Sequence, residues 1–315
     1  MYSPVQPMHI PDGFLSTLVS VFLWIISAGV VACALRHLEK DLGERQVPLM
    51  GVLAAAIFAG QMLNFSVTGG TSGHLLGAAL ATILLGPWAA IIIMTSVVSI
   101  QALIFQDGGL LALGANLFNM AVIGVTVSYF VYTSIQKLAR GKSGGIFVSG
   151  AAAAWFSIVI ASLACALELA LSGTSPANIS VPAMGGIHMI IGIGEGLITV
   201  GALAFLYAAR RDLLHLGQAA PQGGKAVWVG GLLIAGLLAV LSPLASAHPD
   251  GLEWVAEQKG FLDAARAPLY QIIPDYAFPG ISNAALATIV AGILGMLLVF
   301  GVALSVAYMQ RSKKA

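Results

Sequence analysis

Eight apolar runs, near residues 14–35, 50–67, 74–105, 112–133, 146–171, 184–209, 227–245 and 284–308, leave this chain almost no choice of environment. A helix rises about 1.5 Å per residue, so about 20 apolar residues cross a hydrocarbon core of roughly 30 Å. Only 9% of the 315 residues are charged, against roughly 25% in a soluble protein. Such a chain cannot clothe itself in a water-facing surface. It reads as an all-α integral membrane protein, with the lipid bilayer as its solvent. A net charge of +1 supplies no basic field for nucleic acid. Cys33 and Cys165 sit inside apolar runs with no CxxC pairing, so both are expected as buried free thiols. Residues 1–15 hold no Lys or Arg and no separate apolar core, so no secretory signal is expected before the first span.

The run 74–105 is too long for one upright crossing, and Gly86-Pro87 interrupts it. Two spans, near 71–85 and 87–105, are expected there. The first is short enough to be tilted or partly unwound, as backbone beside a protein-lined cavity can be. Charge placement supports the split. With residues 1–13 outside, the inner loops collect Arg36, Lys40, Arg45, Lys137, Arg140, Lys142, Arg210, Arg211, Lys225, Arg311, Lys313 and Lys314, which is 12 of the 14 Lys and Arg. Lys259 and Arg266 fall in a long outer loop near 246–283, where the positive-inside rule acts least. About nine transmembrane helices follow, with the N-terminus outside and the C-terminus cytoplasmic.

Gly217-Gln-Ala-Ala-Pro-Gln-Gly-Gly224 is polar and flexible, so residues 217–226 read as a cytoplasmic linker. It divides a seven-span unit, residues 8–216, from a two-span unit, residues 227–315. The outer loop of the second unit carries His248-Pro249-Asp250-Gly251-Leu252-Glu253-Trp254. Pro249-Asp250-Gly251 echoes Pro11-Asp12-Gly13; no other internal repeat is found.

On this topology His9, His74 and His188 all fall toward the outer face. Imidazole is a good ligand for nickel, cobalt, copper and zinc, so their convergence points to metal capture. The plainer reading of His9 is a hydrogen-bonded ring in an interfacial turn, and that of His74 is small-residue packing among Gly69, Gly70, Gly73 and Gly77. His37 and His215 lie among inner-loop charges and are expected to be solvated; His248 is expected to be exposed. Asp12 follows Pro11 in a tight turn. It is expected to cap the first helix, or else to orient a ligating imidazole. Glu195, seven residues after His188 on the same helix, would cost about 2.5–3.5 kcal/mol as a lone intramembrane charge. It therefore belongs either to a structural polar network or to an ion pathway. Gln61, Asn64, Gln101, Asn116 and Asn119 are placed to bond across the bundle or to orient metal ligands.

Several motifs are incomplete. Gly141-Lys142-Ser143 resembles the end of a P-loop, but Gln136 stands where the earlier glycine is required. Gly192-Ile-Gly194-Glu-Gly196 lacks the last glycine and strand context of a dinucleotide fingerprint. HExxH is absent. No ATP is expected to bind this chain, and energy for transport must come from a partner or an ion gradient.

Met8-His9-Ile10-Pro11-Asp12-Gly13, Gly69-Gly70-Thr71-Ser72-Gly73-His74-Leu75-Leu76-Gly77, Gln106-Asp107-Gly108-Gly109 and Gly114-Ala115-Asn116 closely resemble the cobalt/nickel substrate-binding components of energy-coupling factor transporters (the CbiM/NikM family). The likeness covers about residues 8–215, in the same motif order around the same seven spans. Residues about 225–310, with Pro249-Asp250-Gly251-Leu252-Glu253, resemble the small PDGLE-type accessory membrane component, more in its nickel than its cobalt versions. The resemblance implies that Ni²⁺ or Co²⁺ is held, as transported substrate, by the Met8 nitrogen, the His9 backbone nitrogen and imidazole, and His74. From their placement, Asp12, Asn64, His188 and Glu195 are candidates for orienting the ligands or lining a pathway.

In the family the first ligand is a free α-amino group, whereas Met1–Pro7 precede Met8 here. Met8 is expected to be the true start, so that residues 1–7 are missing from the mature chain. What the resemblance implies is an importer component in a prokaryotic cytoplasmic membrane, working with a transmembrane coupling subunit and two cytoplasmic ATPase subunits. Ala28 and Ala32 on the first span are candidates for docking the coupling subunit, with internal bundle packing as the alternative. Two other readings are a secondary divalent metal–proton transporter using Glu195 as proton carrier, and a membrane enzyme holding a catalytic metal.

Overall fold

Helices form along the apolar runs, and the chain breaks where glycine and proline interrupt them. The computed structural model describes residues 8–41, 43, 46–140, 143–211, 214 and 225–312. The extension 1–7, Arg45, Lys142, His215, Lys313, Lys314 and linker positions 217–224 lie outside the described residues. The helices are α1 (Thr17–Asp41), α2 (Gln46–Gln61), α3 (Ala78–Leu85), α4 (Pro87–Ile100), α5 (Leu113–Leu117), α6 (Gly124–Ala139), α7 (Ser143–Leu171), α8 (Ala177–Ala209), α9 (Lys225–Leu241), α10 (Gly251–Lys259) and α11 (Ala284–Ser312). Two short stretches of wider π-helix, Gln101–Phe105 and Phe118–Ile123, extend α4 and link α5 to α6. Among the described residues, six helical stretches are long and apolar enough to cross a membrane; α2 and Trp228–Leu244 are shorter apolar helices.

The expected break at Gly86-Pro87 is present. Gly86 takes φ 80°, which ends α3, and Pro87 opens α4 at the position where its missing N–H costs nothing. The short segment expected at 71–85 is partly unwound: only Ala78–Leu85 is helical, and residues 71–77 are strand and extended chain. The run 50–67 is also not one helix. α2 stops at Gln61, and β1 (Phe65–Val67) pairs antiparallel with β2 (Thr71–Gly73). Gly69 and Gly70, at φ 90° and 79°, make the turn between them. A two-stranded hairpin thus interrupts an otherwise helical protein, immediately before His74.

α7 packs on α6 and α8, α1 packs on α4 and α5, and α2 packs on both α9 and α11. The C-terminal helices are therefore fastened to the N-terminal bundle through α2. Glycine permits that fastening: a Cβ on Gly295 would come within 2.2 Å of the Phe58 ring. Large apolar side chains such as Leu18, Leu197 and Leu233 face outward, as helices in lipid require. Thr82, Ser96 and Ser128 satisfy their hydroxyls by donating to the carbonyl four residues earlier. Cys165 is buried, but Cys33 is exposed on α1 rather than buried. His37, expected to be solvated, stacks on Trp88 with ring centroids 4.2 Å apart.

The segment after α9 lies across the bundle rather than looping away from it. Main-chain hydrogen bonds join Ser246 N to Asn64 O, Ser72 N to Pro249 O, Arg266 N to Asp12 O and Ile273 N to Ile104 O, at 2.7–3.0 Å. It covers the end of the bundle that holds His9 and His74. His248 is exposed, as expected.

Candidate functional site

The N-terminal segment is seated on the loop between α4 and α5. Asn116 accepts from Ile10 N at 3.0 Å and donates to Ile10 O at 3.1 Å, and Gly109 N donates to the same carbonyl at 2.9 Å. Asp12 does not cap α1, nor does it reach the His9 ring. Its carboxylate accepts from Leu110 N (3.1 Å) and Ala112 N (2.9 Å), which are free amides just before α5. Ser16 instead accepts from Val19 N at the head of α1. Position 109 must be glycine for this seating, since a Cβ there would fall 2.0 Å from Asp12 Oδ1 and 2.2 Å from Asp12 N.

The π-helical turn at Gln101–Phe105 delivers Asp107 directly beneath that segment. One oxygen, Oδ1, meets Met8 N at 2.7 Å, His9 N at 3.2 Å and His9 Nδ1 at 3.1 Å. The other, Oδ2, accepts the Tyr276 hydroxyl. Burial alone would push the His9 ring down, but the adjacent Asp107 carboxylate prevails and holds it above 6.5. Burial would likewise raise Asp107; the His9 ring and the donors from Tyr276 and Met8 hold it below the usual carboxylate range. His9 Nε2 is buried and has no partner among the described residues.

His74 follows the hairpin in an extended segment, residues 74–77, which three elements fix in place. Glu195 of α8 accepts from Leu76 N at 2.7 Å and Gly77 N at 3.1 Å. Gln61 of α2 donates to Leu76 O at 3.0 Å, and Gln101 donates to Gln61 at 2.8 Å. His74 Nδ1 donates to Leu75 O at 3.0 Å, which places the proton on Nδ1 and leaves Nε2 as the basic nitrogen. The His74 and His9 ring centroids are 5.8 Å apart, edge to face.

Met8, His9, His74, Asn116, His188 and Asp250 line a common cavity of about 80 Å³. His188 Nδ1 donates to Met184 O at 2.8 Å, so its Nε2 is also the basic nitrogen. Asp250 caps α10 by accepting from Glu253 N at 2.8 Å, and burial pushes its carboxyl up to about 8. Gly251 lets this turn reach the ring, because a Cβ there would stand 2.8 Å from His188 Cε1. Among the described residues, no three side chains of His, Cys, Asp or Glu are disposed to hold a metal together.

Met8, His9, His74 and His188 thus share one cavity. Asp12 and Glu195 stand behind it, holding the loops that form its walls. Asn64 does not line it; its side-chain amide is buried with no partner among the described residues. Ala28 and Ala32 lie far along α1, exposed. Sequence reasoning gave no individual role to Asp107, Asp250 or Tyr276. Asp107 stood inside the Gln106–Gly109 motif, and Asp250 in the Pro-Asp-Gly echo, so both left a signal. Tyr276 left none.

The family model described as cobalt uptake substrate-specific transmembrane region (CbiM) matches residues 9–213, and the PDGLE domain matches residues 225–312. A putative fused nickel transport protein of Archaeoglobus fulgidus is 37% identical over 295 residues, covering 93% of this chain and 95% of that one. The fused nickel transport protein of Rhodobacter capsulatus is 32% identical, covering 98% and 100%. A crystal structure titled as a truncated transition metal transporter is 36% identical with TM-score 0.58, covering 64% of this chain and 99% of that chain. Matches over so much of the chain, in the same order as its two groups of helices, place it: it belongs to the CbiM family of substrate-specific transmembrane proteins and carries a PDGLE domain on its C-terminal side.

Proposed function

We propose that this chain captures Ni²⁺ or Co²⁺ at the extracytoplasmic face of a prokaryotic cytoplasmic membrane and passes it inward as the substrate-binding component of an energy-coupling factor importer. The observation that carries this reading is the convergence of Met8 N, His9 N and His9 Nδ1 on a single Asp107 oxygen, with the His74 ring beside them. Three nitrogens that already share one focus form a chelate whose protons a divalent cation replaces. With His74 the set is four nitrogens, which suits a square-planar d⁸ ion such as Ni²⁺. The fused nickel relatives favour the same metal.

The remaining assignments follow that reading. Nine crossings, with residues 8–216 and 227–315 as two modules and 217–226 as linker, put the metal cavity outside and 12 of the 14 Lys and Arg inside. Met8 supplies a primary amine once residues 1–7 are gone, and N-terminal sequencing of the purified chain is the check. A coupling subunit and two ATPase subunits provide the energy. Reconstituted with them, the chain is expected to take up Ni²⁺ into vesicles only when ATP is supplied. Uptake by the chain alone under a pH gradient would instead make it a secondary transporter.

The exposed face of α1 suits the coupling subunit. Ala28 and Ala32 are exposed, and nothing lies within 4 Å of a Cβ built on Gly29 between them. Close helix approach requires such small residues. Ala28→Leu combined with Ala32→Leu is expected to abolish co-purification with the coupling subunit while leaving Ni²⁺ binding intact. A doubly substituted chain that still assembles would remove α1 as the docking face.

A further inference from the structure

We infer that Tyr276, in the PDGLE domain, is a positioning residue for the metal chelate and acts through Asp107; this rests on the site reading proposed above. The two residues are 169 positions apart, yet the Tyr276 hydroxyl donates to Asp107 Oδ2 while Oδ1 gathers Met8 N, His9 N and His9 Nδ1. A carboxylate held at one oxygen only can swing about its Cβ–Cγ bond. Held at both, it keeps Oδ1 at the point where the three nitrogens meet. Tyr276 therefore sets the direction of the acceptor that organises the chelate before metal arrives.

The local backbone shows how firmly this hydroxyl is placed. Asp275 and Tyr276 are consecutive non-glycine residues at φ 52° and 55°, a conformation that persists only where the surroundings over-determine it. The ring is fully buried and stacks on Phe105 at 4.8 Å and 14°. Phe58 lies against the same ring at 6.2 Å. Just before it, Ile273 N donates to Ile104 O at 3.0 Å, which locks the segment to the strut that carries Asp107. A buried phenol must satisfy its hydroxyl, and here the acceptor is the carboxylate whose other oxygen gathers the three nitrogens. The hydroxyl is thus a second contribution of the PDGLE domain to the site, beside Asp250 in the cavity wall.

The test uses the full chain, with Ni²⁺ alone as the probe. Tyr276→Phe keeps the ring and removes the donor. It is expected to weaken Ni²⁺ binding about 10-fold to 100-fold, the range typical for a group that orients a metal ligand, and to alter the visible absorption of bound Ni²⁺. Asp107→Asn, which replaces one acceptor oxygen by a donor, is expected to alter that spectrum in the same way. Phe58→Leu disturbs the ring cluster without touching the hydroxyl, so it should lower thermal stability yet leave spectrum and affinity as they were. Native affinity and spectrum in either Tyr276→Phe or Asp107→Asn would overturn the inference, as would a Phe58→Leu spectrum matching that of Tyr276→Phe. His74→Ala separates the two levels. If it binds Ni²⁺ fully, the site reading itself fails; if it does not, and Tyr276→Phe is native, only the role of Tyr276 fails.

Discussion

His74→Ala is expected to weaken Ni²⁺ binding by about 100-fold or more while leaving the fold intact. A four-ligand metal site is worth roughly 10–16 kcal/mol in all, so one ligand in four carries about 3 kcal/mol, or about two decades in affinity. The fold should survive because the segment carrying His74 is held by backbone groups of residues 76 and 77, not by the imidazole. His9→Ala is expected to match that loss, since Asp107 still accepts from Met8 N and His9 N when the ring is gone. Competition titration against a chelator of known affinity measures both. The pH dependence has a definite sign. Asp107 holds the His9 ring above 6.5, and a ligating imidazole must be free of its proton. Capture therefore tightens as pH rises through the His9 pKa and weakens below it, at a higher pH than an unperturbed histidine would set. Full Ni²⁺ affinity in His74→Ala would remove the proposed site.

The second large effect belongs to Glu195. Glu195→Leu strands two buried amides, Leu76 N and Gly77 N, each at about 1–3 kcal/mol. A loss of about 4 kcal/mol is expected, read as a large drop in the thermal unfolding midpoint of the solubilised chain. Glu195→Gln keeps one acceptor oxygen and should lose about half as much. Both should also loosen the segment bearing His74 and so weaken metal binding. This outcome distinguishes the structural role from proton carriage. A proton carrier replaced by glutamine would lose pH-driven uptake without losing stability. Unchanged unfolding of Glu195→Leu would refute the anchoring role.

The helical frame was legible because its determinants are local. Long apolar runs, the Gly86-Pro87 interruption and the scarcity of charge each act within a few residues of themselves. The metal-site candidates were legible for a different reason: His9 and His74 sit in motifs whose order resembles that of a known family. Where the reading went astray, the deciding partner was remote. Asp12 looks like a cap for the helix that follows it, but the amides that donate to its carboxylate belong to residues 110 and 112. Asn64 looks placed to orient a ligand and instead lies away from the cavity. The strand at Phe65–Val67 reads as more helix until Gly69 and Gly70 fold Thr71–Gly73 back against it.

From the sequence alone came a lipid-embedded helical chain, the break in its long third run, and two histidines to be brought together. Only the tertiary structure decided what holds them there: Asp107 beneath the N-terminal segment, Glu195 beneath the His74 segment, and Tyr276 arriving from the far end of the chain. The reason is range. Hydropathy and turn propensity are properties of neighbouring residues, whereas a buried carboxylate takes whichever donors the packed bundle delivers, here from 98 to 169 positions away.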